Sequence, residues 1–404
     1  MENKKLLEEK LEEISSILKK EYKENDQLGV LAGISGIALF HFYYSKYLDT
    51  DKQADIGVEI LEEVVNRINE GYQFPTYCSG IAGAGWVFEH LSEVDFMESD
   101  NDELLSELDD YLFQVMNYDM QSGQFDFLHA GIGYGYYFLK RYQNTKSDEL
   151  KDRYKTYLNK IISDLNEHAQ DDEHGVKWES RLDIETGLRG YNLSLSHGMS
   201  SIVIFLSKLH EYSDFKDTVT PLLKGAVGYI GSHEIKGDEL YSLFPSWITE
   251  PPQEGSRSRL AWCYGDLGVG LAFLKASETL NDASLNKKAL YILEHAANRK
   301  TAEETGIRDA GVCHGSYGNA QIFNRLYTKT GNKLFKEAAR YWIDEGIKMA
   351  VFEDGNAGYK QWNGADEDWE SRISLLEGIA GIGLTIIDHI SDFETHWDEC
   401  LMIS

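Results

Sequence analysis

The sequence predicts an all-α protein, an α/α toroid in which seven inner and seven outer helices form a closed double ring. A small-residue signature, G-x-x-G or a close variant, occurs seven times, at Gly33, Gly80, Ala130, Gly198, Gly265, Gly315 and Gly378. Each copy opens a mainly apolar run, such as Ile37-Ala38-Leu39-Phe40 or Ile382-Gly383-Leu384-Thr385-Ile386-Ile387. Helices that are apolar most of the way round are buried, and glycine lets them start tightly and approach one another closely. The last copy is as apolar as the middle ones. An open solenoid needs polar capping repeats, so closure is the better reading.

Amphipathic stretches precede the copies in turn. Leu7, Leu11, Ile14 and Leu18 form one stripe in a Glu- and Lys-rich first stretch, and Ile60, Leu61, Val64, Val65 and Ile68 form the next. Further stretches run over 104–115, 154–165, 219–230, 285–297 and 334–349. The order is outer helix then inner helix, repeated seven times along a single domain of residues 1–404. Repetition at this scale points to one continuous core, not to separate domains.

The connections are unequal. Residues 171–196, 237–261 and 351–375 are long, polar and rich in Gly, Trp and Tyr, and all three join an outer helix to the next inner one. They are expected at the end of the ring that carries Cys263, Cys313 and His314. Long structured loops on one face of a rigid scaffold are where function concentrates. Pro245 and the Pro251-Pro252 pair predict an irregular flap there.

Composition bounds the rest. A formal charge of −29 argues against nucleic acid, whose phosphates would be repelled, and permits a neutral or basic peptide. The charge by itself reads most simply as a solvated surface. No apolar run is long enough to span a bilayer, and the Glu-rich start lacks the apolar core of a signal peptide. Four cysteines without a pairing pattern fit thiols in a reducing cytoplasm.

Cys263 and Cys313 each stand two residues ahead of their signature glycine, in W-C-Y-G and C-H-G, and His314 adjoins the second. In a ring those mouths are neighbours, so the three side chains can converge. Two thiolates and an imidazole suit zinc and leave its fourth position open. Singly, each cysteine also reads as a small buried hydrophobe, and the residues alone leave both readings standing. Cys78 has the same spacing, but its repeat lies several places round the ring, so it reads as packing; Cys400 has no partner. Asp126, His129, His197 and Glu377 stand at comparable mouths, with Arg259 and Tyr264 flanking Cys263. Convergent polar groups in an apolar-walled cavity mark a site, and His197 is the best acid–base candidate among them.

At these residues the sequence resembles the LanC-like lanthionine synthetase cyclases. The resemblance rests on S-x-S-H-G from Ser194, R-x-A-W-C-Y-G from Arg259, C-H-G from Cys313, D-F-L-H-A-G-I-G from Asp126 and L-E-G-I-A-G from Leu376. It implies zinc held by Cys263, Cys313 and His314, and active-site roles for Asp126, His197, Arg259 and Tyr264. The third copy departs from the family pattern, with His129 and Ala130 where Glu and Gly are common.

The implied reaction adds a peptide cysteine thiol to dehydroalanine or dehydrobutyrine, forming a lanthionine or methyllanthionine ring. The implied partners are a dehydrated precursor peptide, a separate dehydratase and a peptide exporter, at a cytoplasmic location peripheral to a membrane-associated complex. No dehydratase or kinase segment accompanies the cyclase pattern. Two competing expectations are a relative that adds glutathione to dehydroamino acids in proteins, and an idle scaffold that presents a precursor peptide.

Overall fold

The computed structural model describes residues 2–183, 186–237, 241–251 and 257–404. Amphipathic and apolar helices alternate from the start: α1 (Glu2–Glu21), α2 (Ile34–Leu48), α3 (Asp51–Asn69), α4 (Ile81–Glu93) and α5 (Asn101–Gln121). The alternation continues through α6 (Gly131–Asn144), α7 (Asp148–His168), α8 (Met199–His210), α9 (Lys216–Ser232), α10 (Asp266–Leu280) and α11 (Ala283–Asn298). After the single turn α12 (Ala302–Thr305) come α13 (Ser316–Thr330), α14 (Lys333–Lys348) and α15 (Ile379–Ile390). Each of the seven glycine signatures opens an apolar helix, as predicted.

The second glycine of a signature has a steric reason. A Cβ on Gly318 would lie 1.9 Å from the carbonyl oxygen of Val312, so only glycine lets that loop fold over the first turn of α13. Gly265 is needed for its backbone as well, with φ at 97°, a region that side chains disfavour.

Two compact units make up the chain, Met1–Ser99 with Ile307–Ser404, and Asp100–Gly306. In the first, α2 packs on α3, α13 packs on α14, and α13, α15, α2 and α4 are successive neighbours. The helix that covers α15 is α1, from the other end of the sequence. Leu11, Ile14 and Leu18 of α1 are fully buried. Gly383 permits the approach: a Cβ there would meet Phe40 of α2 at 2.4 Å and Ile14 of α1 at 3.4 Å. The first and last copies of the repeat are therefore neighbours, and the first amphipathic helix completes the last copy. That is the contact closure requires.

In the second unit, α6, α8 and α10 are successive neighbours, each packed on the amphipathic helix that follows it. Asp109 of α5 is fully buried and accepts from the Tyr137 and Tyr154 hydroxyls at 2.7 and 2.6 Å, with Arg141 ion-paired at 3.5 Å. Burial pushes the Asp109 carboxyl up despite those partners. Such a network fixes register more than it adds net stability.

The long loops carry short strands that the sequence reading did not foresee. β1 (Gln170–Asp172) pairs with β2 (Gly175–Lys177), and β3 (Ser180–Arg181), β4 (Arg189–Asn192) and β5 (Trp247–Ile248) form a three-stranded antiparallel sheet. In the first unit β6 (Gln361–Asn363) pairs with β7 (Asp368–Glu370). Pairing of Tyr191 with Ile248 and of Asn192 with Trp247 brings the first two long loops together. Pro252 of the predicted flap lies outside the described residues. Among the described residues no helix is long and apolar enough to cross a membrane.

Candidate active site and metal donors

The residue two places before the signature glycine occupies one recurring backbone position. In the first unit the Cys313 N–H donates to the Leu376 carbonyl at 2.9 Å, Leu376 to Leu31 at 2.9 Å, and Leu31 to Cys78 at 3.1 Å. In the second unit the Cys263 carbonyl accepts from the N–H groups of Leu195 and Ser196, at 3.1 and 3.3 Å, and from the Ser196 hydroxyl at 3.1 Å. Main-chain bonds between neighbouring loops thus pin the very position that the cysteines occupy. None of the four cysteines is in a disulfide.

The second unit builds an imidazole–carboxylate pair beside Cys263. Asp126 Oδ1 accepts from the backbone N–H groups of Leu128 and His129 at 2.7 and 2.8 Å. Its Oδ2 lies 2.5 Å from His197 Nδ1. The His197 backbone N–H is in turn held by the Ser194 hydroxyl at 3.0 Å, and Ser194 by the Asn192 side chain at 3.0 Å. The rings of His129 and Tyr264 each lie 5.9 Å from the His197 ring between centroids. Trp247 meets Tyr264 edge-on at 6.1 Å, and the Arg259 guanidinium lies 5.8 Å from the Tyr264 ring. Asp126, His197, Cys263, Tyr264 and Arg259, all named from the sequence, therefore fall in one locality, and His129 joins them.

Electrostatics follow from these contacts. Burial works against a charged His197, but the Asp126 charge and hydrogen bond outweigh it and raise its pKa, with Cys263 adding to the effect. Burial likewise opposes an ionised Asp126, yet His197 and His129 hold its carboxyl below the usual range. Burial pushes the Tyr264 phenol up to about 12, against the opposing Asn192 hydrogen bond, so it keeps its proton at neutral pH. The arrangement can hand over a proton.

The first unit supplies Cys313 and His314 on the loop that opens α13. His314 Nε2 faces Asp309 Oδ2 at 3.2 Å. Asp309 is itself 2% exposed and accepts from the N–H groups of Gly311 at 2.9 Å and Trp362 at 3.0 Å. Burial would raise its pKa, but the His314 contact and those N–H groups hold it low. Trp362 lies in the third long loop, so that loop braces the His314 support. Glu377 stands with Arg372, Lys360 and Gly311 around a pocket at the mouth of α15.

Sequence reasoning missed Asp309 and Asn192, which touch the named residues from behind. Asp309 stands five residues before His314, and Asn192 five before His197. A polar residue at that offset ahead of two site histidines was the available signal. Cys78, which reads as packing, is 5% exposed, and Cys400 is 0% exposed.

These features define a helical-repeat protein of paired apolar and amphipathic helices, with thiol, imidazole and carboxylate groups at recurring helix mouths. The chain belongs to the lanthionine synthetase C-like protein family, which it matches over residues 24–402. It is similar to the nisin biosynthesis protein NisC of Lactococcus lactis subsp. lactis, at 25% identity over 223 residues, covering 52% of this chain and 48% of that protein. The matched region thus spans about half the length of that relative. Among solved structures it resembles a nisin cyclase with a TM-score of 0.78 at 19% identity, over 99% of this chain and 98% of the other. A sugar epimerase from a ruminal bacterium also matches, at 10% identity and a TM-score of 0.48. The nisin cyclase likeness is one of fold, and that fold is the predicted α/α toroid.

Proposed function

We propose that this chain is a zinc-dependent lanthipeptide cyclase, acting as a single domain over residues 1–404. The observation that carries the reading is the His197–Asp126 pair beside Tyr264 and Cys263, at a helix mouth of a chain in this family. Zinc would be held by Cys263, Cys313 and His314, the thiols and imidazole that stand just ahead of their signature glycines. Their chemistry fits the ion, since two thiolates and one imidazole leave a tetrahedral position for a substrate thiol. Asp309 on His314 Nε2 would orient the imidazole of a metal-bound histidine and leave Nδ1 for the ion. A zinc bound there would hold the substrate thiol as a nucleophilic thiolate.

The substrate in this reading is a dehydrated precursor peptide. Its cysteine sulfur forms a C–S bond to the β-carbon of dehydroalanine or dehydrobutyrine, and the alkene π pair moves into an enolate. Asp126 engages His197 Nδ1, so the proton for the α-carbon leaves from Nε2. The raised pKa of His197 keeps that proton available. Tyr264, still protonated, and Arg259 offset the negative charge that develops on the enolate oxygen. His197 then regains a proton equivalent to the one the thiol lost, and peptide mass is unchanged. A dehydratase would supply the alkene and an exporter would take the product, in the cytoplasm at the periphery of a membrane-associated complex.

The test is incubation of the zinc-loaded protein with a dehydrated, cysteine-containing peptide. Loss of free thiol at constant mass is expected. Persistent thiol, or thioether formation only when glutathione is supplied, would overturn the ring-forming reading.

A further inference from the structure

Among the described residues one other group of metal-type donors lies away from the glycine-signature mouths: His90, Glu93 and Glu399. His90 and Glu93 are in the last turn of α4, about 13 Å along its axis from the signature end. They are three residues apart, hence on one helical face. Glu399 comes from a short 3-10 turn, Trp397–Leu401, in the tail beyond α15. All their donor atoms lie within 4.8 Å of one another.

The imidazole is fixed in place by aromatic neighbours. His90 is fully buried, stacked on Trp86 at 4.8 Å and 13°, with Tyr43 Oη at 3.0 Å from Nε2. The same Tyr43 oxygen accepts the His396 N–H at 3.2 Å. In the tautomer whose Nε2–H donates to that oxygen, the lone pair is on Nδ1, the nitrogen that faces Glu399. The separation from Nδ1 to Glu399 Oε2 is 3.6 Å. That is too long for a hydrogen bond. It matches two ligands on one tetrahedral ion, which sit ~3.4 Å apart when each bond is ~2.1 Å.

The carboxylate from the tail is fixed independently. Asp398, next to Glu399, is fully buried and accepts from Arg325 Nε and Gln321 Nε2 at 2.6 and 2.7 Å. On the other side the Cys400 carbonyl accepts from the Tyr77 hydroxyl at 3.2 Å. Glu399 is thus delivered to His90 by neighbours that do not themselves need an ion.

We propose that His90, Glu93 and Glu399 form a second divalent-cation site that clips the tail turn to the end of α4. One imidazole nitrogen and two carboxylates favour Zn2+ over Ca2+ or Mg2+, which take oxygen donors. Three protein ligands leave room for water. An ion that binds only the folded tail raises the melting temperature with its concentration. None of this depends on the cyclase reading, because the donors and their supports are separate from Cys263, Cys313 and His314.

The experiment uses the full chain, free of any affinity tag, stripped with a chelator and titrated with Zn2+ against a chromophoric competitor. Cys313→Ala is expected to retain one zinc. Adding Glu399→Gln, or Glu93→Gln as the milder surface change, should weaken that remaining site at least about tenfold and abolish its zinc-dependent rise in melting temperature. Far-UV circular dichroism confirms that these variants fold. If Cys313→Ala binds no zinc, or if neither carboxylate change alters what it binds, the site does not exist and His90 is simply ion-paired with Glu399.

Discussion

His197 Nδ1 lies 2.5 Å from Asp126 Oδ2, while Oδ1 of the same carboxylate is engaged by the N–H groups of Leu128 and His129. The carboxylate is built into its own turn and can orient the imidazole without moving. Asp126→Asn keeps an acceptor for the turn but removes the charge that raises the His197 pKa. It should fold, retain zinc and cyclise about 10²-fold or more slowly, within the range for a compromised general acid. Single-turnover rates with metal analysis on the same sample check this.

The cysteines at the recurring backbone position separate donors from packing. Cys313→Ala should lose the zinc proposed for Cys263, Cys313 and His314, and only that one, and remain largely helical, because the N–H of Cys313 on Leu376 still holds its loop. Cys78→Ala should keep zinc and activity, since that thiol is 5% exposed and packs. Metal content and circular dichroism decide it. Loss of zinc in Cys78→Ala would refute the ligand set.

Most of the helical order was legible because burial writes a stripe into sequence. The stretch predicted at 154–165 is the middle of α7, which runs from Asp148 to His168. The missing turns are polar: Ser147 caps the start through the Leu150 N–H at 3.3 Å, and no apolar period marks such residues. Asp282 and Asn332 extend α11 and α14 in the same way. The strands were illegible for another reason. β4 and β5 are four and two residues long, and Tyr191 finds Ile248 across a long stretch of sequence, so no local alternation announces them. In the site, His197 and Cys263 announced themselves by chemistry and position. Asp309 and Asn192 act through neighbours, and the carbonyl bonds between loops involve backbone alone, which carries no side-chain signal.

Gly318→Ala tests the steric reading of the signature. Its methyl would sit 1.9 Å from the Val312 oxygen, on the loop that carries Cys313 and His314. Backbone must move, so a loss of about 3 kcal/mol is expected, at the upper end for overpacking. Denaturant midpoints measure that loss. Zinc affinity should fall in parallel, because the displaced loop carries two of the proposed donors, Cys313 and His314.

A pH dependence of stability follows from His41. It is fully buried, and burial lowers its pKa to about 4, with Lys19 adding to the fall and the Gln53 hydrogen bond opposing it. The unfolded chain takes up the proton near pH ~6.5, while the folded chain resists until about 4. The contribution is therefore present above ~6.5 and lost as pH falls toward 4, by at most ~3 kcal/mol. Urea midpoints between pH 7 and pH 4 should decline, and His41→Gln should flatten the decline whatever it does to absolute stability.

The last prediction separates the proton donor from the metal donors. His197 is positioned by Asp126, Ser194 and the Tyr264 ring, and Cys263 by main-chain bonds from Leu195 and Ser196. His197→Asn should thus keep both fold and zinc, because the main-chain bonds that hold Cys263 remain. Cyclisation should slow by about 10²–10⁴-fold, the usual contribution of a general acid, or give altered rings. In wild type, solvent deuterium should enter the α-carbon of every ring formed, as enolate protonation requires. The variant should still incorporate deuterium, delivered from water, with the stereochemistry at that carbon less strictly controlled. If His197→Asn loses zinc instead, the histidine is a ligand or a ligand's support, and the proton must come from Tyr264, Arg259 or a bound water.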